Sequence, residues 1–586
     1  MFEELSSDPL VSTCNKWPKS RLISRTGEPC NKSVNLDFIP RHRNAVRAGL
    51  IAACVVAIGP AAFTSTALDV RDFGAKGDGV TKDTAAIQAA IDKVPAAGGT
   101  VVVSPGSYLS GTIHLRSNLT LRIEQGATLL FSTDDGDFDP YEPLPYHLAT
   151  PPGKKDPGAT LVNHLLSERR RLSAPPAYDD VETTYFHYAL LSGDGIHNVT
   201  IEGNGAIDGN TTHRGGPKPI AIKNSEWVTV RGITIRNAPN YNISFGGADH
   251  IQVDSVKLLN GFADGVDTDG CHYVQVTNSY IDAWDDAVCP KASMALGKPR
   301  STEHMVVANC VLRTSCNHVK FGTETAGDLR DVTVSNCVML RRDTGRRPMS
   351  GIAIESVDGS HVDGVAVSNI SMEDVMAPVF IRLGNRGRGM EKPVPGSISN
   401  ISIQNVVAKG ASLASSITGL ADARVQNVTI DGLNVTAAGG VAAHDVDIPE
   451  APSKYPDPDM FGDLPALAVY ARHVDGLTLR NLKVHAGQPD GRPEIILDSV
   501  TAAEISAFDS TNIPPHQPLL LFRNVAGALL YGNRAPAAAD VFLRVTGDRS
   551  SGVALRGNDL RLARRAVEKS SEVPPDAVSP DAPGAP

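Results

Sequence analysis

The chain has 586 residues, 41% hydrophobic but only 5% aromatic, with 53 Gly, 40 Pro and a formal net charge of −10. This balance excludes the basic face of a nucleic-acid binder, so no nucleic-acid partner is expected. It does not exclude an anionic ligand, because binding follows the charge local to a cleft.

In chain order, Arg41, His42, Arg43 and Arg47 form a basic start to the apolar run Ala48 to Ala62. That run is shorter than the ~20 residues of a membrane span. Ser65-Thr66-Ala67 follows as a small-residue cleavage site. Residues 1–67 read as an N-terminal extension and secretory signal, with translation expected to begin downstream, near Val46. The protein is expected to be exported, periplasmic or secreted, a monomer, and without stable membrane insertion after cleavage. An uncleaved anchor is the alternative.

A short amphipathic helix is predicted over 81–93, with a polar start at Thr81 and Asp83 and apolar Ala85-Ala86-Ile87 and Ala89-Ala90-Ile91. Residues 132–185, rich in Pro, Asp, Tyr and Arg, read as a long loop, and 441–465 as a second Pro-rich insertion. Residues 566–586 read as a disordered tail, which leaves 68–565 as one domain. Cys14, Cys30 and Cys54 precede the cleavage site. Cys271, Cys289, Cys310, Cys316 and Cys337 remain, an odd set, with no Cys-x-x-Cys pair. Small buried core side chains are expected there, with no metal and no cofactor.

The domain repeats a short apolar alternation. Its members include Asn198-Val199-Thr200-Ile201, Trp227-Val228-Thr229-Val230, His250-Ile251-Gln252-Val253 and Tyr273-Val274-Gln275-Val276. Met305, Val332, Val365, Ile401, Val428 and Leu477 head later members. The spacing is mostly about 23–36 residues, which signals a solenoid. The period within each unit is two, so the units are strands and not helices. A Leu skeleton is absent and the period is too uneven for a propeller. The fold class is therefore all-β: a right-handed parallel β-helix with a short N-terminal capping helix.

Three segments carry the chemistry: Ala263-Asp264-Gly265-Val266-Asp267-Thr268-Asp269-Gly270, Trp284-Asp285-Asp286-Ala287-Val288 and Cys316-Asn317-His318-Val319-Lys320-Phe321-Gly322. About one coil separates Asp269 from Asp285, so a β-helix brings them close. Repulsion among clustered carboxylates raises at least one pKa, and glycoside hydrolysis needs one carboxyl to protonate the leaving oxygen and another to activate water. The bland reading is that each Asp caps a turn. It suits Asp264 and Asp267 singly, but explains poorly why so many acids share one surface.

These residues resemble glycoside hydrolase family 28, the polygalacturonase and rhamnogalacturonase family. Asp72-Phe73-Gly74-Ala75-Lys76-Gly77-Asp78-Gly79 is similar to that family's N-terminal cap. The family's Asn-Thr-Asp-Gly falls on Asp267-Thr268-Asp269-Gly270, and its Gly-x-Asp-Asp on the segment ending in Asp285-Asp286. The resemblance implies an inverting hydrolase, with Asp285 as general acid and Asp269 and Asp286 placing and deprotonating water. Asp267 replaces an Asn. The family's Gly-His-Gly falls on Cys316-Asn317-His318, so Asn317 occupies the His position. His318 then lies either in the core or in the site, because one step along a strand reverses the face. The family's Arg-Ile-Lys falls on Ala353-Ile354-Glu355, so both cations are lost and Glu355 would repel a sugar carboxylate. Lys291, Lys320, Glu324 and Arg382 are the candidate replacements for sugar contact. The expected ligand is a pectic oligo- or polysaccharide, cut by a polygalacturonase-like or rhamnogalacturonan-acting enzyme, with exo action favoured if a long loop walls the cleft. A polysaccharide lyase and a non-catalytic glycan-binding β-helix are the alternatives.

Overall fold

The apolar positions that head the sequence repeat form one stacked column in this computed structural model, which describes residues 67–140, 186–388, 390–444 and 447–579. Val199 pairs with Val228, then Ile251, Val274, Met305, Val332, Val365, Ile401, Val428 and Leu477, each in parallel register with the next. All are buried. A single coil leaves such residues bare at both ends, and stacking at ~4.8 Å covers them. The result is a parallel β-helix in which each coil of the central body contributes three strands.

The backbone ahead of each column member turns through the left-handed region, as at Asn198 (φ 56°), Asp331 (φ 53°), Gly364 (φ 71°) and Asn400 (φ 56°). Asn and Gly tolerate this conformation. Trp227, His250, Tyr273 and His304 hold the same position, and there the rings stack along the axis at 3.9, 4.7 and 5.1 Å between centroids. That contact offsets the backbone cost.

A second corner carries an asparagine ladder. Asn309 donates to Asn278 at 3.2 Å, Asn336 to Asn309 at 3.2 Å, Asn369 to Asn336 at 3.0 Å and Asn405 to Asn369 at 3.2 Å. Asn336 also sits at φ 54°. Asn336→Ala removes two amide bonds and strains the turn, so it is expected to cost ~1–3 kcal/mol in urea denaturation. Asn336→Gly should recover the backbone part. An Ala variant as stable as wild type would show that the ladder contributes nothing.

One strand track positions the site: Ile243–Gly246, Val266–Asp269, Val288–Lys291, Asn317–Phe321, Ser350–Ser356 and Ala377–Leu383. Ile243, Val266, Val288, Val319, Ile352 and Val379 pair in succession and fill the core. Their neighbours therefore face outward: Ser244, Asp267 and Cys289 in one register, then Lys320, Ala353 and Phe380. The insertion lies on this outer face. Its Met460 packs on Ala353 and Phe380, and its Ile448 and Leu464 pack with Ala414, Tyr470 and Ile496.

The predicted cap is the helix Thr84–Asp92, which buries Ile87, Ala90 and Ile91. Asp83 accepts from the backbone N–H of Lys76 at 2.7 Å and of Gly77 at 2.9 Å. At the other end the expectation of a tail from residue 566 needs correction through residue 579. Arg565–Lys569 and Val578–Ser579 pair with the preceding coil, and Val573 and Ala577 are buried. Few apolar residues suffice to close a solenoid end, so a polar, Pro-rich composition hides them. The expected signal and residues 141–185 of the expected loop lie outside the described residues, as do Cys14, Cys30 and Cys54. Among the described residues the five remaining cysteines are free and buried, and no helix is long and apolar enough to cross a membrane.

Candidate active site

Strand parity puts Asp267 and Asp269 on the outer face of Val266–Asp269, and register places them beside Cys289 and Lys291 of the next coil. Lys291 is the internal counter-ion. Its Nζ lies 3.1 Å from Asp264, 3.3 Å from Asp267 and 3.8 Å from Glu324, and donates to the Tyr241 hydroxyl at 3.1 Å. Burial alone would discharge it, but Asp267, Tyr241 and Asp264 hold it charged. Burial pushes the Asp267 carboxyl up to about 6 in spite of Lys291 and Lys218, and pushes Asp264 well above the carboxylate range. Asp269 is also raised by burial, although it accepts from the Ser293 N–H at 2.7 Å and from the Ser293 hydroxyl.

Asp285 and Asp286 stand in the turn before Val288–Lys291. Their carboxylates and the Cys316 sulfur all lie within 4.8 Å of one another. Asp286 is buried and accepts from the Asn317 N–H at 3.0 Å and the Asn317 side-chain amide at 2.8 Å. Lys320 reaches its other oxygen at 3.4 Å. Asn317 is held in turn by the Ser350 hydroxyl at 2.6 Å. Asp285 differs from its neighbours: its side chain is 27% exposed, and Arg214 Nη1 donates to it at 2.6 Å. Burial would raise its pKa, but the charges of Arg214 and Lys320 more than reverse this and leave it ionised.

Two donor sets could in principle hold a cation: Asp264, Asp267 and Cys289, and Asp285, Asp286 and Cys316. Side-chain cations already balance both, Lys291 in the first and Arg214 with Lys320 in the second.

The insertion adds residues that no spacing signalled. Lys320 Nζ lies 3.4 Å from the Tyr455 hydroxyl, and Asp457, pushed up to about 6 by burial, faces Lys320 and Asp286. Glu355 is fully buried, with both carboxylate oxygens lacking a hydrogen-bond donor. Burial keeps it protonated well above the ordinary range.

The sequence profile of glycosyl hydrolases family 28 matches residues 171–454, which span all of these groups except those at the end of the insertion. That match supports membership of glycosyl hydrolases family 28. A profile for rhamnogalacturonase A/epimerase, pectate lyase-like, matches residues 67–124. A probable polygalacturonase of Vitis vinifera is 25% identical over 63% of this chain and 74% of its own length. An exo-poly-α-D-galacturonosidase of Dickeya chrysanthemi is 27% identical over 60% of this chain and 64% of its own. The crystal structure of a hyperthermoactive exopolygalacturonase from Thermotoga maritima superposes with a TM-score of 0.52 at 17% identity, covering 71% of this chain and 91% of that one. It shows the shared fold.

Against this family 28 frame, the structure brings Asp267, Asp269, Asp285, Asp286, Asn317, Lys320, Lys291, Glu324 and Glu355 together. Two candidates for sugar contact need correction. His318 is fully buried, with its ring nitrogens 3.1 and 3.0 Å from the carbonyl oxygens of Ser350 and Leu340. Burial lowers its pKa to about 4. His318 and Lys320 share the strand Asn317–Phe321, but the carbonyls of Ser350 and Leu340 claim the His318 ring, so even spacing does not carry both into the site. Arg382 sits in register with Glu355 but does not pair with it. The insertion takes its guanidinium, through the carbonyls of Glu450 (2.5 Å) and Ala451 (3.2 Å) and the ring of Phe461. His318→Ala is expected to lower stability by ~2–4 kcal/mol, since it leaves a cavity and unpaired carbonyls. It should leave the pH dependence of kcat unchanged, and a shifted pH profile would return His318 to the reaction. Sequence reasoning missed Arg214, Tyr241, Ser293, Tyr455 and Asp457, which lie outside the three motif segments.

Proposed function

We propose that this family 28 chain is an exported glycosidase that hydrolyses pectic polysaccharide with inversion. The observation that supports it best is Asp285, a carboxyl open to solvent beside the buried Asp286 and its amide partner Asn317. A general acid must touch the leaving oxygen, and Asp285 can do so from the cleft side. Asp269 and Asp286 then place the attacking water, with Asp286 held in position by Asn317 and Lys320. The names of the Vitis and Dickeya relatives support a galacturonan substrate, and the second supports exo action. The insertion, which seats Tyr455 and Asp457 over the site, is consistent with a closed end.

Digestion of polygalacturonate, rhamnogalacturonan and their oligomers, followed by reducing-sugar release and chromatography, tests this reading. Early monomer or dimer, in the inverted anomeric form and without unsaturated ends, is expected. Products absorbing through a new double bond would make the protein a lyase. No product from any of these polymers would sink the pectic assignment.

A further inference from the structure

A general acid must carry a proton when substrate arrives, yet Asp285 is held by a guanidinium. The groups that face it are Arg214, Lys320 and Arg346 on the cationic side, Asp264 and Asp286 on the acidic side, and the Cys316 sulfur. Arg214 makes the close contact, at 2.6 Å, and its side chain is 26% exposed. It stands in the turn His213-Arg214-Gly215-Gly216, where the two glycines adopt φ 109° and 156°. The other cations of the site are committed elsewhere. Lys291 and Lys320 are buried among acids, Lys218 is buried against the rings of Phe186 and Tyr241, and Arg346 bonds the Ser315 carbonyl and the Cys316 sulfur. Ala353 and Glu355 supply no cation.

We infer that Arg214 is the receptor for a substrate carboxylate, and that Asp285 becomes a proton donor only when a uronate draws Arg214 away. The inference rests on the reading of Asp285 as the general acid. A uronate carboxylate competes for the same guanidinium fork that Asp285 occupies. Once released, Asp285 is a part-buried carboxyl beside Asp264 and Asp286, and it takes a proton from bulk water. It passes that proton to the glycosidic oxygen as the bond from C1 to that oxygen breaks and its electron pair goes to the oxygen. Water forms the new bond to C1 and gives its proton to Asp269 or Asp286. Asp285 ends ionised, and Arg214 returns to it as product leaves. Recognition of the acidic sugar and arming of the acid become one event, which withholds proton donation from neutral glycans.

Proton uptake on binding tests this without turnover. Full-length Asp269→Asn protein would be titrated calorimetrically with trigalacturonate, and with its methyl ester, at pH 5 in two buffers of different ionisation enthalpy. The acid ligand is expected to bring in about one proton per site, and the ester none. Adding Arg214→Ala should abolish the uptake, because Asp285 is then already protonated, and should weaken the acid ligand about ten- to a hundred-fold. Arg214→Lys should restore part of the affinity. Uptake that survives Arg214→Ala, equal binding of acid and ester, or no binding by folded protein would each overturn the inference. If uptake depends on Arg214 while wild-type protein cuts none of the polymers above, the hydrolase reading fails and the receptor role stands.

Discussion

Asp285→Asn is expected to lower kcat on pectic polymer by about 10²–10⁴-fold, the contribution of a positioned general acid. The side chain is part-exposed and its ion pair with Arg214 is of the kind worth little to stability, so the variant should unfold within ~1 kcal/mol of wild type. The loss should shrink on an activated aryl glycoside, whose leaving group needs little protonation. Asp269→Asn should lose activity on both substrates, since water activation is required either way. Kinetics on the polymer and the aryl glycoside, beside circular dichroism, decide the matter. If Asp285→Asn stays within tenfold of wild type on the polymer, the proton comes from another group.

Lys291→Met is expected to be the most damaging change to stability in the site, about 3–5 kcal/mol at neutral pH, because it leaves Asp264 and Asp267 buried without the ammonium that pairs with both. The size should depend on pH. Asp267 already sits at about 6 in the folded protein against an ordinary 3.8. The native state therefore holds that proton more tightly than the unfolded state, and stability falls as pH rises from about 4 to 6. Lys291 has a raised pKa, so its own contribution is complete below about 10 and adds no slope in this range. Without it, Asp264 and Asp267 move further up and the fall extends past neutrality. Urea denaturation at pH 4 and 7.5 should show Lys291→Met near wild type at the lower pH and far below it at the higher. An equal loss at both would mean that Lys291 acts through packing alone.

The stacked column was legible because its signals are local. Alternation of period two marks the strand, and a residue tolerant of the left-handed region marks the turn ahead of it. Those features alone place Val199 through Leu477 in one register. The same parity carried Asp267 and Asp269 to one face, and the order of the aspartate segments brought Asp285 and Asp286 beside them. Asp285 is bonded to Arg214, 71 residues earlier, and Lys320 to Tyr455, 135 residues later. Such contacts depend on where a turn and an insertion fold back, which no spacing within a strand encodes. His318 shows the limit from the other side, since it shares a strand with Lys320 and yet backbone carbonyls claim its ring. Glu355 and Arg382 are neighbours by register, yet the insertion takes the arginine and leaves the carboxyl alone. The sequence by itself determined the coil, its core and the acids that face outward, because side-chain alternation is a property of the local backbone. The tertiary structure decided which cation each acid meets and which acid stays ionised, because burial and charge act across space between segments far apart in the chain.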